Sequence, residues 1–380
     1  MSVLVTGSES PKALTVIRSL GKKGISVTAA ADTSQSLGRS SRYSSDSFCY
    51  PTPTERPVEY INALKEFLRI NQHDVLLPVH SEDTYLIAEH KEILGRYTRV
   101  PLHDYARIRE VNDKSVLAET ARELGIAVPA TYIVKQSHDL HQIARIVEYP
   151  VVIKMRDSSG SRGVLYANSD TELRERFIML VKKFRLKENT YPIIQEYIEG
   201  DGYGVSLLYN NGDLRAYCTH KRIREYPVSG GPSTLRESTI NAEMEKIARD
   251  LMEYYEWHGV AMVEFKLRSS DKKPVLIEVN PRIWGSINLS VLAGVDFPYL
   301  LYQMAMKGDV DPVINYNVGV QSRNCFADLL AMAGYLYRTG RIKNLKGTRL
   351  FPFNDDILST NDPKPALQFL QSGFRHVIRG

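Results

Sequence analysis

Two short stretches constrain this chain more than any other feature: Met262-Val-Glu-Phe-Lys266 and Leu276-Ile-Glu-Val-Asn280-Pro-Arg282. Both read as strands of a hairpin around the polar turn at 269–273. Side chains alternate faces along a strand, so Glu278 and Asn280 point the same way, and Glu264 and Lys266 share a face of the neighbour. A hairpin register then brings Glu264 close to Glu278 and Asn280. Two carboxylates and an amide oxygen are hard ligands suited to Mg²⁺, which takes few protein groups and completes its octahedron with phosphate oxygens and water. Pro281 ends the strand, and Arg282 follows as a bidentate phosphate donor. A surface ladder of alternating charge would account for Glu264 and Lys266, but not for Glu-x-Asn-Pro-Arg closing an apolar run.

A second signal is Pro150-Val-Val-Ile-Lys154, followed by Ser158-Ser-Gly-Ser-Arg-Gly163. A lysine ending a buried strand is costly unless its charge is used. Ser158, Ser159, Gly160 and Gly163 suit a turn that offers backbone N–H groups and hydroxyls to phosphates. It is not a Walker A loop, because the lysine precedes the glycines. Third, Ile194-Gln-Glu-Tyr-Ile-Glu-Gly200 is an extended segment whose backbone from Glu196 through Tyr197 to Ile198 can meet an adenine ring.

Around these motifs the chain organises as α/β followed by α+β. Strand 2–6, Gly7, helix 11–20 and strand 26–30 form a βαβ unit of a parallel sheet. Asp32 ends the second strand, but Gly7-Ser8-Glu9-Ser10 lacks GxGxxG, which opposes an NAD site. Helices at 57–69 and 81–94 and strands at 74–77 and 99–101 complete a domain spanning 1–105. A small lobe, 106–190, carries a helix from Lys114 closed by Gly125, strands 131–134, 151–155 and 164–167, and helices 138–147 and 171–184. A larger antiparallel lobe, 191–306, has the hairpin signal Asn211-Gly212; residues 307–380 read as a mainly helical extension.

Of the 380 residues 43% are hydrophobic and 24% charged, and the net charge of +5 is spread without a basic block, which opposes nucleic acid as the partner. Cys49, Cys218 and Cys325 lie far apart, with no CxxC pair, so a reducing compartment is expected. Residues 2–6 lack a basic leader, and the longest apolar run, 289–306, is broken by Asp296 and Pro298; neither signal peptide nor membrane span is expected, and the localisation implied is cytoplasmic.

The order Lys114, Lys154 with its glycine-bearing turn, Gln-Glu-Tyr-Ile, Glu264, then Glu278-Val-Asn280-Pro-Arg282 resembles the ATP-grasp superfamily, and most of all its carbamoyl-phosphate-synthase-like carboxylate–amine ligases. The resemblance covers residues 105–305 well, takes the N-terminal unit as a pre-ATP-grasp layer, and is weaker after 310. It implies an ATP-grasp fold with ATP and Mg²⁺, or Mn²⁺ in its place, as cofactors. Lys114 and Lys154 would neutralise the nucleotide phosphates under the 158–163 turn, and Glu196, Tyr197 and Ile198 would form the adenine hinge. Glu264, Glu278 and Asn280 would hold the metal, and Arg282 would stabilise the transferring phosphate. Family members often have an acidic ribose ligand after the hinge; here either Asp201 or Tyr203 would serve.

The function implied is an ADP-forming ligase joining a small-molecule carboxylate to an amine through an acyl phosphate. A carboxylase- or kinase-type member, and an ATP sensor without turnover, are the alternatives. Arg222 and Arg224 share a face by period two, which makes Arg224 a candidate catalytic guanidinium. The acceptor is expected between His80-Ser-Glu-Asp83 and a loop at 224–237, and the helical tail offers a surface for a homodimer.

Overall fold

The computed structural model describes residues 1–157, 163–227, 230–339 and 354–379. Three sheets carry the chain. The first is parallel, in the order β3 (Asp46–Cys49), β2 (Ser26–Ala31), β1 (Ser2–Val5), β4 (Val75–Leu77). Val3, Leu4 and Val5 are fully buried, as expected of a strand covered on both faces. Helix Pro11–Gly21 follows β1; Ser10 caps it by accepting from the Ala13 amide, and Pro11 occupies its first turn, where no amide partner is needed. The strand expected at 99–101 is reduced to a single bridge between Val75 and Arg99. The helix expected over 81–94 breaks at His90 into Ser81–Glu89 and Lys91–Leu94.

The second sheet is antiparallel, in the order β5 (Thr131–Ile133), β8 (Ile193–Glu196), β6 (Val151–Lys154), β7 (Val164–Ala167). Leu173, Phe177 and Leu180 of helix Asp170–Phe184 close its own small core. The third has seven strands, in the order β13 (Pro274–Asn280), β12 (Gly259–Arg268), β9 (Gly200–Asn210), β10 (Asp213–Glu225), β11 (Ser233–Thr239), β14 (Gln321–Arg323), β15 (Asn354–Asp355). β9 and β10 are joined at Asn211 and Gly212, with φ of 49° and 88°, the two positive angles that a two-residue hairpin of the right twist demands.

The faces of the large sheet decide where chemistry can sit. On one face Val205, Leu207, Val263 and Phe265 pack in a core with Met244, Ala248 and Leu251 of helix Ala242–Tyr254. On the other, Leu208, Cys218 and Val260 pack in a core with Trp284 and Phe297. Further along that second face the apolar residues give way. The cross-strand row becomes Glu278, Glu264, Gly204, His220 and Ser238. The tail is not only helical: β14 and β15 extend this sheet, and helices Cys325–Thr339 and Lys364–Arg379 accompany them.

Among the described residues no helix is long and apolar enough to cross a membrane.

Candidate active site

The hairpin of β12 and β13 places Glu264 directly opposite Glu278. The Asn280 amide lies between them, its Nδ2 donating to Glu264 Oε1 at 3.0 Å and to Glu278 Oε1 at 3.4 Å. Its Oδ1 accepts from Arg282 Nη2 at 2.6 Å, while Arg282 Nε donates to Ser81 Oγ at 2.7 Å on the N-terminal unit. Burial, with Glu278 adjoining, holds the Glu264 carboxyl above the usual carboxylate range against the pull of Arg222. Burial acts the same way on Glu278, but Lys114 and Lys154 outweigh it and hold that carboxyl low.

Lys114 and Lys154 reach this cluster from the small lobe. Lys114 opens helix Lys114–Glu123, where Asp113 caps the helix and pairs with Arg156 at 2.8 Å just beyond β6. The buried Lys114 ammonium lies 3.4 Å from Glu278. Lys154 ends β6; burial, together with Lys114, draws its ammonium down to about 8 despite Glu278 and Glu264. Gly163 takes a φ of 73°, as a glycine turn requires; Ser158, Ser159 and Gly160 lie outside the described residues.

Glu196, Tyr197 and Ile198 link β8 to β9 and so join the two lobes. The Glu196 amide already donates to Ala130 O at 2.9 Å and its Oε2 accepts from Ala130 N at 3.1 Å, which takes that residue's N–H out of the hinge. Tyr197 is 42% exposed, edge-on to Tyr166 at 5.8 Å, and Ile198 is buried.

Three expectations are corrected by the way strands face. Arg224 does not join the cluster: it is 2% exposed and paired with Asp328 at 2.6 Å. Register shifts on either side of Arg224 break the period-two alternation with Arg222. Asp201 pairs with Lys221 at 2.7 Å, and Tyr203 packs in the core beside Phe265, so both point away from the Glu264 face. The segment read as a loop over 224–237 is strand at both ends, the end of β10 and the start of β11, which pairs with β10 and β14.

Of the two arginines that period two placed on one face, it is Arg222 that reaches the cluster. It pairs with Glu264, and with Glu225 at 3.5 Å; burial would lower its guanidinium, but those carboxylates outweigh it. Room for it comes from Gly202, where a Cβ would meet Arg222 Cδ at 2.9 Å. At Gly204 a Cβ would stand 2.4 Å from His220 Cε1. Two glycines at period two on one face were the available signal. His220 is held neutral, drawn down to about 3 by burial and by Arg222 and Arg236, and its Nε2 is 3.2 Å from Ser286 Oγ.

From the carboxylate cluster a cavity of about 440 Å³ runs toward the N-terminal unit, past Lys12, His80, Arg236 and Trp284. A larger cleft of about 1010 Å³, beside Ser2, Asp74 and Arg99, contains none of the residues singled out from sequence. Among the described residues no group of three or more His, Cys, Asp or Glu side chains converges as a metal cage. Two carboxylates beside an amide fit Mg²⁺ better than such a cage, because that ion keeps phosphate and water in its shell.

The sequence profile of the ATP-grasp domain matches residues 111–286. The chain is 25% identical over 219 residues to the carbamoyl phosphate synthase large chain of Pyrobaculum aerophilum, covering 55% of this chain and 21% of that protein. It is 26% identical over 228 residues to the formate-dependent phosphoribosylglycinamide formyltransferase of Prochlorococcus marinus, covering 58% and 56%. It thus spans about a fifth of the first relative and about half of the second. A biotin carboxylase from Campylobacter jejuni, solved as a β,γ-ATP complex, superposes with a TM-score of 0.68 at 14% identity, covering 84% of this chain and 74% of that one. The match runs from the helix that presents Lys114 to the strand end that presents Asn280 and Arg282, and over this stretch the chain carries an ATP-grasp domain.

Proposed function

We propose that this protein is an ATP-dependent ligase that activates a small-molecule carboxylate as an acyl phosphate and passes it to an amine, releasing ADP and phosphate. The observation that carries this reading is the junction at Asn280 and Arg282. There the carboxylate pair, faced by Lys114 and Lys154, lines one end of a cavity that continues toward the N-terminal unit and is large enough for a small acid.

In this reading Lys114, Lys154 and residues 158–163 take the nucleotide phosphates, and Tyr197 and Ile198 steady the adenine. Glu264, Glu278 and Asn280 hold a divalent metal, Mg²⁺ or Mn²⁺, which when bound supplies neutralisation of phosphate charge. Phosphoryl transfer asks the protein mainly for positioning and charge. A substrate carboxylate oxygen, oriented by Arg282, forms a bond to the γ-phosphorus, and the bond from that phosphorus to the bridging oxygen breaks, its electron pair leaving with ADP. The amine nitrogen then bonds to the acyl carbon, the C–O bond to phosphate breaks, and the amine proton passes to solvent.

The test is phosphate release from ATP across a panel of amino acids and small acids, each with and without an added amine. Release that requires both an acid and an amine is expected. Release with bicarbonate or an acid alone would replace the ligase with a carboxylase- or kinase-type reaction.

A further inference from the structure

Lys12 lies in the first turn of helix Pro11–Gly21, far in sequence from the ATP-grasp domain, yet it lines the same cavity as Glu278 and Arg282. Its Nζ donates to the Val79 carbonyl at 2.9 Å and to the Ile283 carbonyl at 3.4 Å. Arg282 Nη1 donates to that same Ile283 carbonyl at 2.8 Å. Two cations therefore converge on one carbonyl oxygen. Among the described residues, neither lies within ion-pair distance of a carboxylate. An ammonium has three donors, and two of Lys12's are used. Burial and the neighbouring Arg282 both act against the charged form of Lys12, drawing it well below the usual lysine range. Asp83, Glu82 and Glu9 act the other way on Lys12 without reaching ion-pair distance, so two cations gathered in one cavity still favour an anion that completes them.

We propose that Lys12 binds the carboxylate the enzyme activates, holding it together with Arg282. The acceptor site is then shared: the ATP-grasp domain supplies Arg282, and the N-terminal unit supplies the second cation. This rests on the ligase reading and adds a substrate contact to it. The site selects an acid whose carboxylate enters the corner between Ile283 and the start of the helix, with the rest of the molecule extending past His80 and Trp284. A second effect follows from the same geometry. Because Lys12 bonds both Val79 of the N-terminal unit and Ile283 of the ATP-grasp domain, an anion there ties the two units together at the point where phosphoryl transfer is to occur.

Inorganic phosphate is the probe. It is titrated calorimetrically into the full-length chain saturated with Mg²⁺ and a non-hydrolysable ATP analogue, so that the nucleotide phosphate positions are already filled. The variant Lys12→Gln keeps a hydrogen-bond donor and removes the charge; Lys12→Arg keeps the charge. Wild type is expected to bind phosphate, Lys12→Gln to bind it about tenfold more weakly or worse, as loss of a charged contact implies, and Lys12→Arg to recover most of the loss. Affinity for the nucleotide analogue should be the same in all three. Were Lys12 only a strut between units, Lys12→Gln would melt earlier but bind phosphate as wild type does, and the proposal would fall. Absence of phosphate binding by wild type would overturn it equally. Failure of wild type to bind the nucleotide analogue is a separate result that would sink the ligase reading; phosphate titrated without nucleotide would still report on Lys12.

Discussion

At Lys154 the free protein and the nucleotide-bound protein make different demands. Burial brings its ammonium down to about 8. Polyphosphate favours the charged form, so above pH 8 nucleotide binding should draw a proton onto Lys154. The sign follows from linkage: the free site is the less protonated one, and affinity falls as pH rises through 8. Calorimetry of the ATP analogue at pH 9 in two buffers of different ionisation enthalpy measures the uptake; Lys154→Met should abolish it. No uptake by wild type would remove Lys154 from the phosphate contacts. At this scale the acidic cluster was legible, because Glu264, Glu278 and Asn280 sit on regular strands where alternation holds. Arg224 was misread for the same reason: alternation was carried across a place where the register shifts. Asp201 and Tyr203 were misplaced because the face of β9 that meets the cluster is occupied by Gly202 and Gly204, whose period-two spacing was the signal to follow.

Strands β9 and β10 make the site possible by what β9 omits. Gly204 stands between Glu264 and His220 in the cross-strand row, and the histidine ring fills the space a Cβ would take. Gly204→Ala should therefore push His220 from Ser286 and destabilise the fold by about 1–3 kcal/mol, the range for overpacking a close-packed site. Urea unfolding gives the stability. A variant as stable as wild type would mean that the row tolerates a side chain and that the glycine has no packing reason. Most other elements were readable from period and punctuation; β11 was not. Its sequence, Ser-Thr-Leu-Arg-Glu-Ser-Thr, contains one large apolar residue, and so it reads as a loop. It is nonetheless interior to the sheet, with neighbours on both sides, and its buried polar residues find partners there: Thr234 in Asp328, Arg236 in Asp356 through Nη2, Ser238 in the Asn317 carbonyl.

Across the whole molecule, buried arginine–carboxylate pairs bind the tail to the rest. Arg18 of the first helix meets Asp362 at 2.9 Å, Arg236 of β11 meets Asp356, and Arg224 of β10 meets Asp328. Removing one partner of such a pair leaves a buried charge and typically costs about 3–5 kcal/mol, so the tail's anchorage is a property of the folded whole. These pairs join residues up to 344 apart in sequence, beyond the reach of any local pattern. The convergence of Lys12 with Arg282 was hidden in the same way, whereas the order of motifs along the chain was enough to indicate the superfamily. The central claim is that the chain makes an acyl phosphate at the Glu264, Glu278 and Asn280 cluster. Its most direct measurement is trapping: the full-length protein with Mg²⁺, ATP, hydroxylamine and the acid that supports turnover. The account predicts a hydroxamate formed in step with ADP, and neither product from Asn280→Ala; AMP and pyrophosphate in place of ADP, or a fully active Asn280→Ala, would contradict it.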